Sequence, residues 1–326
     1  MRILPLCVLR TAVWSAAVVA LAAVSALSQI PSSTWVRLNP SRRPLARAAC
    51  VMVYDPISQK TVMFGGFTYS QYLNDTWTFD GTNWKRIRTT VQPTARAAAS
   101  AAYDPTLKQV VLFGGYNGQY LNDTWTWNGA TSTWTQATTT HQPVPETLAM
   151  LFPDPISGRV DQFGGYDGMF YQLETWRWRD GDWHRLSPQQ FPSARAAAVF
   201  GTDPVLKQTV MFGGLADVNP VNTWTYDGHT WTQQFPSAQP TERLLTGTVY
   251  DPRFGGLVTF GGFAGIDINE TWLWNGTDWI QLAPQQSPTP RESMGMAFDE
   301  LHQQTVVFGG KSGHNLLNGT WVLQTQ

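Results

Sequence analysis

Arg47, Arg96, Arg195, Arg243 and Arg291 share one register with Glu146, each 48–50 residues from the next. A guanidinium is a planar fork of donors that grips carboxylates bidentately, and a ring of such groups focuses positive potential whatever the net charge of the chain. Another 27 or 28 residues along each register stand Asp75, Asp123, Glu174, Asn222, Glu270 and Gly319. Two readings follow. The arginines form a site for an anionic ligand, or they pair structurally as Arg47 with Asp75, Arg96 with Asp123 and Arg243 with Glu270. Arg195 and Arg291 meet no acid at the matching position. The third register instead sets Glu146 against Glu174; two carboxylates held close raise one pKa, which is how a general acid is made.

Other chemistries find less support. The histidines (His141, His184, His229, His302, His314) show no metal-ligand spacing, so no metal or cofactor is expected. Two cysteines exclude a disulfide-dense scaffold and a multi-cysteine zinc or iron–sulfur site. Twenty-two basic residues against 23 acidic ones argue against a nucleic-acid binder that works by neutralising phosphates. Only 14% of the 326 residues are charged, well under the usual ~25%, which suits sheets better than long solvated helices or coiled coils.

The elements that must position these residues come from a repeat. Residues 1–28 read as a cleaved secretory leader, with Arg2 and Arg10 around a short basic start and an uncharged Ala/Val/Leu run ending in small residues. The product would then be periplasmic or extracellular, with no membrane contact once the leader is gone. From residue 29 to 326, Gly-Gly recurs at Gly65, Gly114, Gly164, Gly213, Gly261 and Gly309. Each doublet closes an apolar run and is followed by Thr-Trp (Trp77, Trp125, Trp176, Trp224, Trp272, Trp321), then in five units by Asp-Gly or Asn-Gly and a second Trp. Each unit therefore reads as four short antiparallel strands, and a period near 50 predicts an all-β, six-bladed propeller. The sixth unit lacks a fourth strand, so the N-terminal strand around Trp35 is expected to close the ring and remove an unpaired edge.

The doublets, the spaced aromatic pair and the Arg before the first strand resemble the kelch family over the whole chain after the leader. The resemblance implies a propeller that binds partners on one loop face. It also implies a place for the five arginines in a pocket for acidic peptides, since strand one is innermost and its start should ring the channel mouth. Exported kelch propellers include a sialic acid mutarotase, which makes a sugar-modifying enzyme the alternative. Galactose oxidase shares the fold and uses a cysteine–tyrosine cross-link at copper, but beyond Cys50 its ligands cannot be assigned here.

The entrance to strand one and the strand two-to-three loop share one face, and the two hairpin turns share the other. Variable, aromatic-rich material falls on the first face: Phe67, Tyr72, Tyr116, Tyr120, Tyr166, Tyr171 and Phe263. Loops on a rigid scaffold are where binding is usually grafted. The sequence thus predicts a monomeric binding module for an anionic small molecule, a glycan or a protein, with a pure scaffold as a further possibility. The tryptophans, and the Asn-x-Thr triplets at Asn74, Asn122, Asn269, Asn275 and Asn318, recur with the repeat and read as packing and turn chemistry rather than as a sugar platform or glycan acceptors.

Overall fold

The protein is described here by a computed structural model covering residues 30–218 and 220–325. The leader read at 1–28 lies outside the described residues. Six four-stranded antiparallel sheets form the blades. Blade 1 consists of Val51–Asp55, Lys60–Phe64, Thr76–Phe79 and Trp84–Ile87. Blades 2 to 5 repeat this order and begin at Ser100–Asp104, Met150–Pro153, Val199–Asp203 and Gly247–Asp251. Blade 6 takes Gly295–Asp299, Gln304–Phe308 and Thr320–Thr325 from the C-terminal end and Ser33–Leu38 from the N-terminal end, with Trp35 opposite Leu323. The ring is closed as the missing strand required.

The core lies between blades rather than inside them. Met52, Met63, Phe79 and Trp84 of blade 1, for example, pack with Ala297, Val306, Phe308 and Val322 of blade 6. Each such large side chain contributes about 1.5–3 kcal/mol by leaving water. A polar clamp repeats alongside. The fourth-strand Trp of one blade donates its indole N–H to the Thr that precedes the third-strand Trp of the preceding blade: Trp84 to Thr320, Trp134 to Thr76, Trp183 to Thr124, Trp279 to Thr223 and Trp35 to Thr271, at 2.8–3.1 Å. Four of these threonines complete the Asn-x-Thr triplets at Asn74, Asn122, Asn269 and Asn318, so those triplets recur because the neighbouring blade needs an acceptor there. Between blades 3 and 4 the clamp is open, and both Thr175 Oγ1 and Trp231 Nε1 lack partners.

Two glycine positions show why nothing larger fits. In blade 1 the second glycine of the doublet, Gly66, has φ +94°, and a Cβ there would sit 2.7 Å from the Ala48 carbonyl oxygen. Its N–H meanwhile donates to the Arg96 carbonyl of the next blade at 2.9 Å. Gly129 is required by close approach instead of φ, since a Cβ would collide with the Asp55 carboxylate.

A backbone ring caps the channel on the loop face. Ala49, Ala98, Leu148, Ala197, Leu245 and Ser293 all have φ between +50° and +58°. Each donates its N–H to the carbonyl of the equivalent residue in the preceding blade, from Ala49 to Ser293 and on round to Ser293 to Leu245, at 2.8–3.1 Å. Left-handed backbone costs a non-glycine residue about 1–2 kcal/mol, and here the closed circle of hydrogen bonds holds it.

Candidate functional site

The arginines do not ring the channel mouth. Arg47, Arg96, Arg195, Arg243 and Arg291 are all buried, and each runs outward over its glycine doublet toward the start of strand three. In blade 1, Arg47 Nη1 donates to the Gly65 carbonyl at 3.0 Å and to Asp75 Oδ1 at 2.5 Å, while Nη2 donates to Oδ2 at 2.9 Å. Asp75 Oδ2 also accepts the Trp77 indole at 2.7 Å. Burial works against the Asp75 carboxylate, but the bonds from Arg47 outweigh it and hold its pKa below the ordinary value. Blade 2 repeats the triad with Arg96, Asp123 and Trp125, and blade 5 with Arg243, Glu270 and Trp272. All three expected ion pairs therefore form. Arg47, Arg96 and Arg243 thus spend their charge on carboxylates of their own blades, while Arg195 and Arg291 are buried without one.

Blade 3 solves the same junction without arginine. Glu146 Oε1 accepts from Gln162 Nε2 at 2.8 Å, and that amide also donates to the Gly164 carbonyl, the role Arg Nη1 plays in blades 1, 2, 4 and 6. Glu146 Oε2 is buried without a hydrogen-bond partner. Burial raises the Glu146 pKa well above the usual carboxylate range, with the charges of Glu174 and Asp167 adding to it. Glu174 is held by Arg185 at 2.7 Å. The rise expected from paired carboxylates is here chiefly an effect of burial, and the group is 1% exposed. An acid–base catalyst must touch the reacting atoms, and Glu146 is sealed beneath Gly165. The same blade buries Asp154 and Asp161 around Arg177, at 2.7 Å each. Asp161, Gln162 and Arg177 were not singled out from the sequence, although Asp161 and Gln162 stand at strand positions that are apolar in most other blades, which was a usable signal.

The aromatic loops do converge. A cavity of about 710 Å³ opens on the loop face over blades 1 to 3. Its walls are Phe67, Tyr69, Tyr72, Tyr116 and Tyr120, and its floor is Ala49, Ala98 and Leu148 of the backbone ring. The rings contact in series: Tyr72 to Tyr116 at 6.0 Å, Tyr116 to Tyr120 at 4.9 Å, Tyr120 to Tyr166 at 6.0 Å and Tyr166 to Tyr171 at 5.1 Å. Burial, chiefly, and the neighbouring phenols and Asp167 raise the Tyr120 pKa, keeping it a donor. Among the described residues, the hydroxyls of Tyr72, Tyr116 and Tyr120 have no protein partner. No charged side chain lines the cavity.

Tyr69 was not singled out from sequence, yet its hydroxyl donates to the His314 carbonyl and accepts from the Leu316 N–H, both at 2.8 Å, tying the loop of blade 1 to blade 6. Phe263 stands apart in blade 5 and does not line the cavity. The exposed tips of Met169, Phe170, Val218 and Ile266 crown the same face.

A second cavity of about 370 Å³ runs down the axis between the first strands and is lined almost wholly by apolar and small residues. Cys50 lies in it, and burial pushes its thiol up to about 11, so it is protonated and inert at neutral pH. Among the described residues, no group of three His, Cys, Asp or Glu side chains is placed to hold a metal.

A closed ring of six four-stranded blades, stitched by glycine doublets and by Arg–carboxylate–Trp triads, defines a propeller built to present loops. Residues 23–214 match the KLHDC2/KLHL20/DRC7 Kelch-repeats domain, and the chain belongs to the kelch-repeat family. No curated protein matches it. Kelch propellers generally bind proteins, and the fold is that of a protein-interaction module.

Proposed function

We propose that this chain is an exported interaction module that holds an uncharged, side-chain-bearing segment of a partner protein in the tyrosine-lined cavity of its loop face. The uncharged lining of that cavity carries the reading. A pocket walled by five aromatic rings and floored by a hydrogen-bonded backbone ring offers apolar area and hydroxyl groups, but no counter-charge. Aromatic side chains supply rigid, amphipathic contact area at little entropic cost. The exposed apolar tips around it extend the contact. The leader read over residues 1–28 supports export.

Selection of a displayed random-peptide library against the protein tests this. Peptides should emerge that lose at least ~10-fold in affinity on Tyr116→Ala, a loss in the range of an interfacial aromatic anchor, and that keep their affinity on Val205→Asp in an opposite-face turn. No peptide, or peptides indifferent to Tyr116→Ala, would overturn the reading. A neutral glycan has matching chemistry, and glycan-array binding lost on the same substitution would replace the peptide.

A further inference from the structure

Blade 6 has kept the donors of the repeated triad and lost the acceptor. In blades 1, 2 and 5 a carboxylate side chain sits between the buried Arg and the third-strand Trp and accepts from both. In blade 6 that position is Gly319. Arg291 is 2% exposed and donates to the Thr289 carbonyl at 3.1 Å, the Gly309 carbonyl at 3.0 Å and Thr289 Oγ1 at 3.1 Å, with no carboxylate. The Trp321 indole N–H has no partner among the described residues. Its Nε1 lies 3.0 Å from where a Cβ on Gly319 would stand, and Arg37 Nε lies 4.0 Å from that point.

Arg37 is a third donor in the right register. It stands opposite Trp321 just as Arg185 stands opposite Trp176 in blade 3, where Arg185 reaches the carboxylate of Glu174 at 2.7 Å. Two guanidiniums and an indole N–H therefore surround the volume that a carboxylate fills in four sister blades. The backbone does not demand glycine there, since Gly319 lies outside the left-handed region. Glu292, next to Arg291 in sequence, is already paired with Lys311 at 3.1 Å. Burial, and then Arg37, lowers the Arg291 pKa to about 10, as expected for neighbouring cations without a counter-ion.

We propose that the Gly319 gap of blade 6 is a binding site for an external carboxylate, which takes the place of the missing side chain between Arg291, Trp321 and Arg37. The carboxylate belongs either to an Asp or Glu side chain of a partner lying across the loop face or to a small free acid. The other blades show why a planar two-oxygen anion is preferred: one oxygen meets each guanidinium nitrogen and one also meets the indole. The site is separate from the tyrosine cavity and stands or falls independently of it.

The test is titration of the full protein with sodium acetate against sodium chloride at matched ionic strength, following the Trp321 indole N–H resonance and thermal unfolding. Acetate should shift that one resonance saturably and raise the midpoint, whereas chloride should not. Arg37→Gln should weaken acetate at least ~5-fold, as expected for loss of a charge-assisted bond. Gly319→Asp should fill the gap from within, raising the midpoint without acetate and abolishing the response to it.

Equal effects of the two salts, or an acetate response that survives Gly319→Asp, would overturn the proposal. If Gly319→Asp does not fold, the Arg37→Gln titration still decides. A blocked Ala-Asp-Ala peptide that binds tighter than acetate assigns the site to a partner's side chain, and tighter acetate assigns it to a free acid.

Discussion

Changing Asn222 to Asp should stabilise the protein, because blade 4 is the one blade in which a buried arginine faces a neutral side chain in the triad. Arg195 is fully buried; Asn222 gives it one bond from Nη1 at 3.1 Å and leaves the Trp224 indole N–H buried without a partner. Burial alone pulls the Arg195 pKa well below its ordinary value, to about 10. At about 1.4 kcal/mol per pH unit, roughly 3 kcal/mol stands against holding the charge there. An Asp would supply charge-assisted bonds to both Arg195 and Trp224, each worth about 1.5–3 kcal/mol, less the cost of partly desolvating the new carboxylate. A net gain of about 2 kcal/mol raises the unfolding midpoint by about 3 °C in a domain of this size. Calorimetric unfolding of the parent, Asn222→Asp, Arg195→Met and the double variant at pH 7 measures it. In the Arg195→Met background the gain should reverse, since the carboxylate then lacks its partner. A neutral or destabilising Asn222→Asp, or no coupling between the two sites, would refute the view that a carboxylate completes this unit.

The clamp, the blade 3 carboxylate and the ring closure give further expectations. Thr76→Val should cost about 1–3 kcal/mol by orphaning the Trp134 indole, while Thr175→Val, where no bond exists, should cost nothing or stabilise; urea titrations of both variants compare them. The native pKa of Glu146 is raised above the unfolded 4.5, so the native state holds a proton that the unfolded chain releases, and stability falls as pH rises through that window. Glu146→Gln should accordingly gain on the parent at pH 7, with the gap narrowing toward pH 4. Asp161, raised by burial to about 7, acts in the same direction. Trp35→Ala removes a fully buried side chain that packs on Phe260 at 4.9 Å and seals the ring, and should cost about 3–5 kcal/mol in the same titrations.

The parts of this structure that could be read from sequence are those set by chain connectivity. The 48–50-residue spacing of the doublets fixed the blade count, and a sixth unit lacking its fourth strand required Ser33–Leu38 to complete it. The offset of 27 or 28 residues from arginine to acid marked the three ion pairs, because an extended arginine and an acid side chain together bridge two strand spacings. What the spacing left open was direction: whether the arginines point to the axis or outward depends on the glycine carbonyls over which they lie, and those appear only once the blades twist. The tyrosine cavity was half legible. Its loops could be assigned to one face, but contact between Tyr72 and Tyr116 depends on how far each loop rises above its blade. The sealed state of Glu146 depended on Gln162, whose polarity in a buried strand was the overlooked signal. Gly319 could be recognised as the odd member of its register, though the convergence of Arg37 and Trp321 on it needed the pairing of the N-terminal and C-terminal strands.

A crystal structure of the protein with the tightest-binding peptide from the library selection tests the central claim most directly. The account predicts peptide density in the cavity between Tyr72 and Tyr120, above Ala98 and Leu148, with its anchoring side chain uncharged. Peptide seated on the opposite, hairpin-turn face, or on the loop face over blades 4 and 5 with the tyrosine cavity empty, would contradict it.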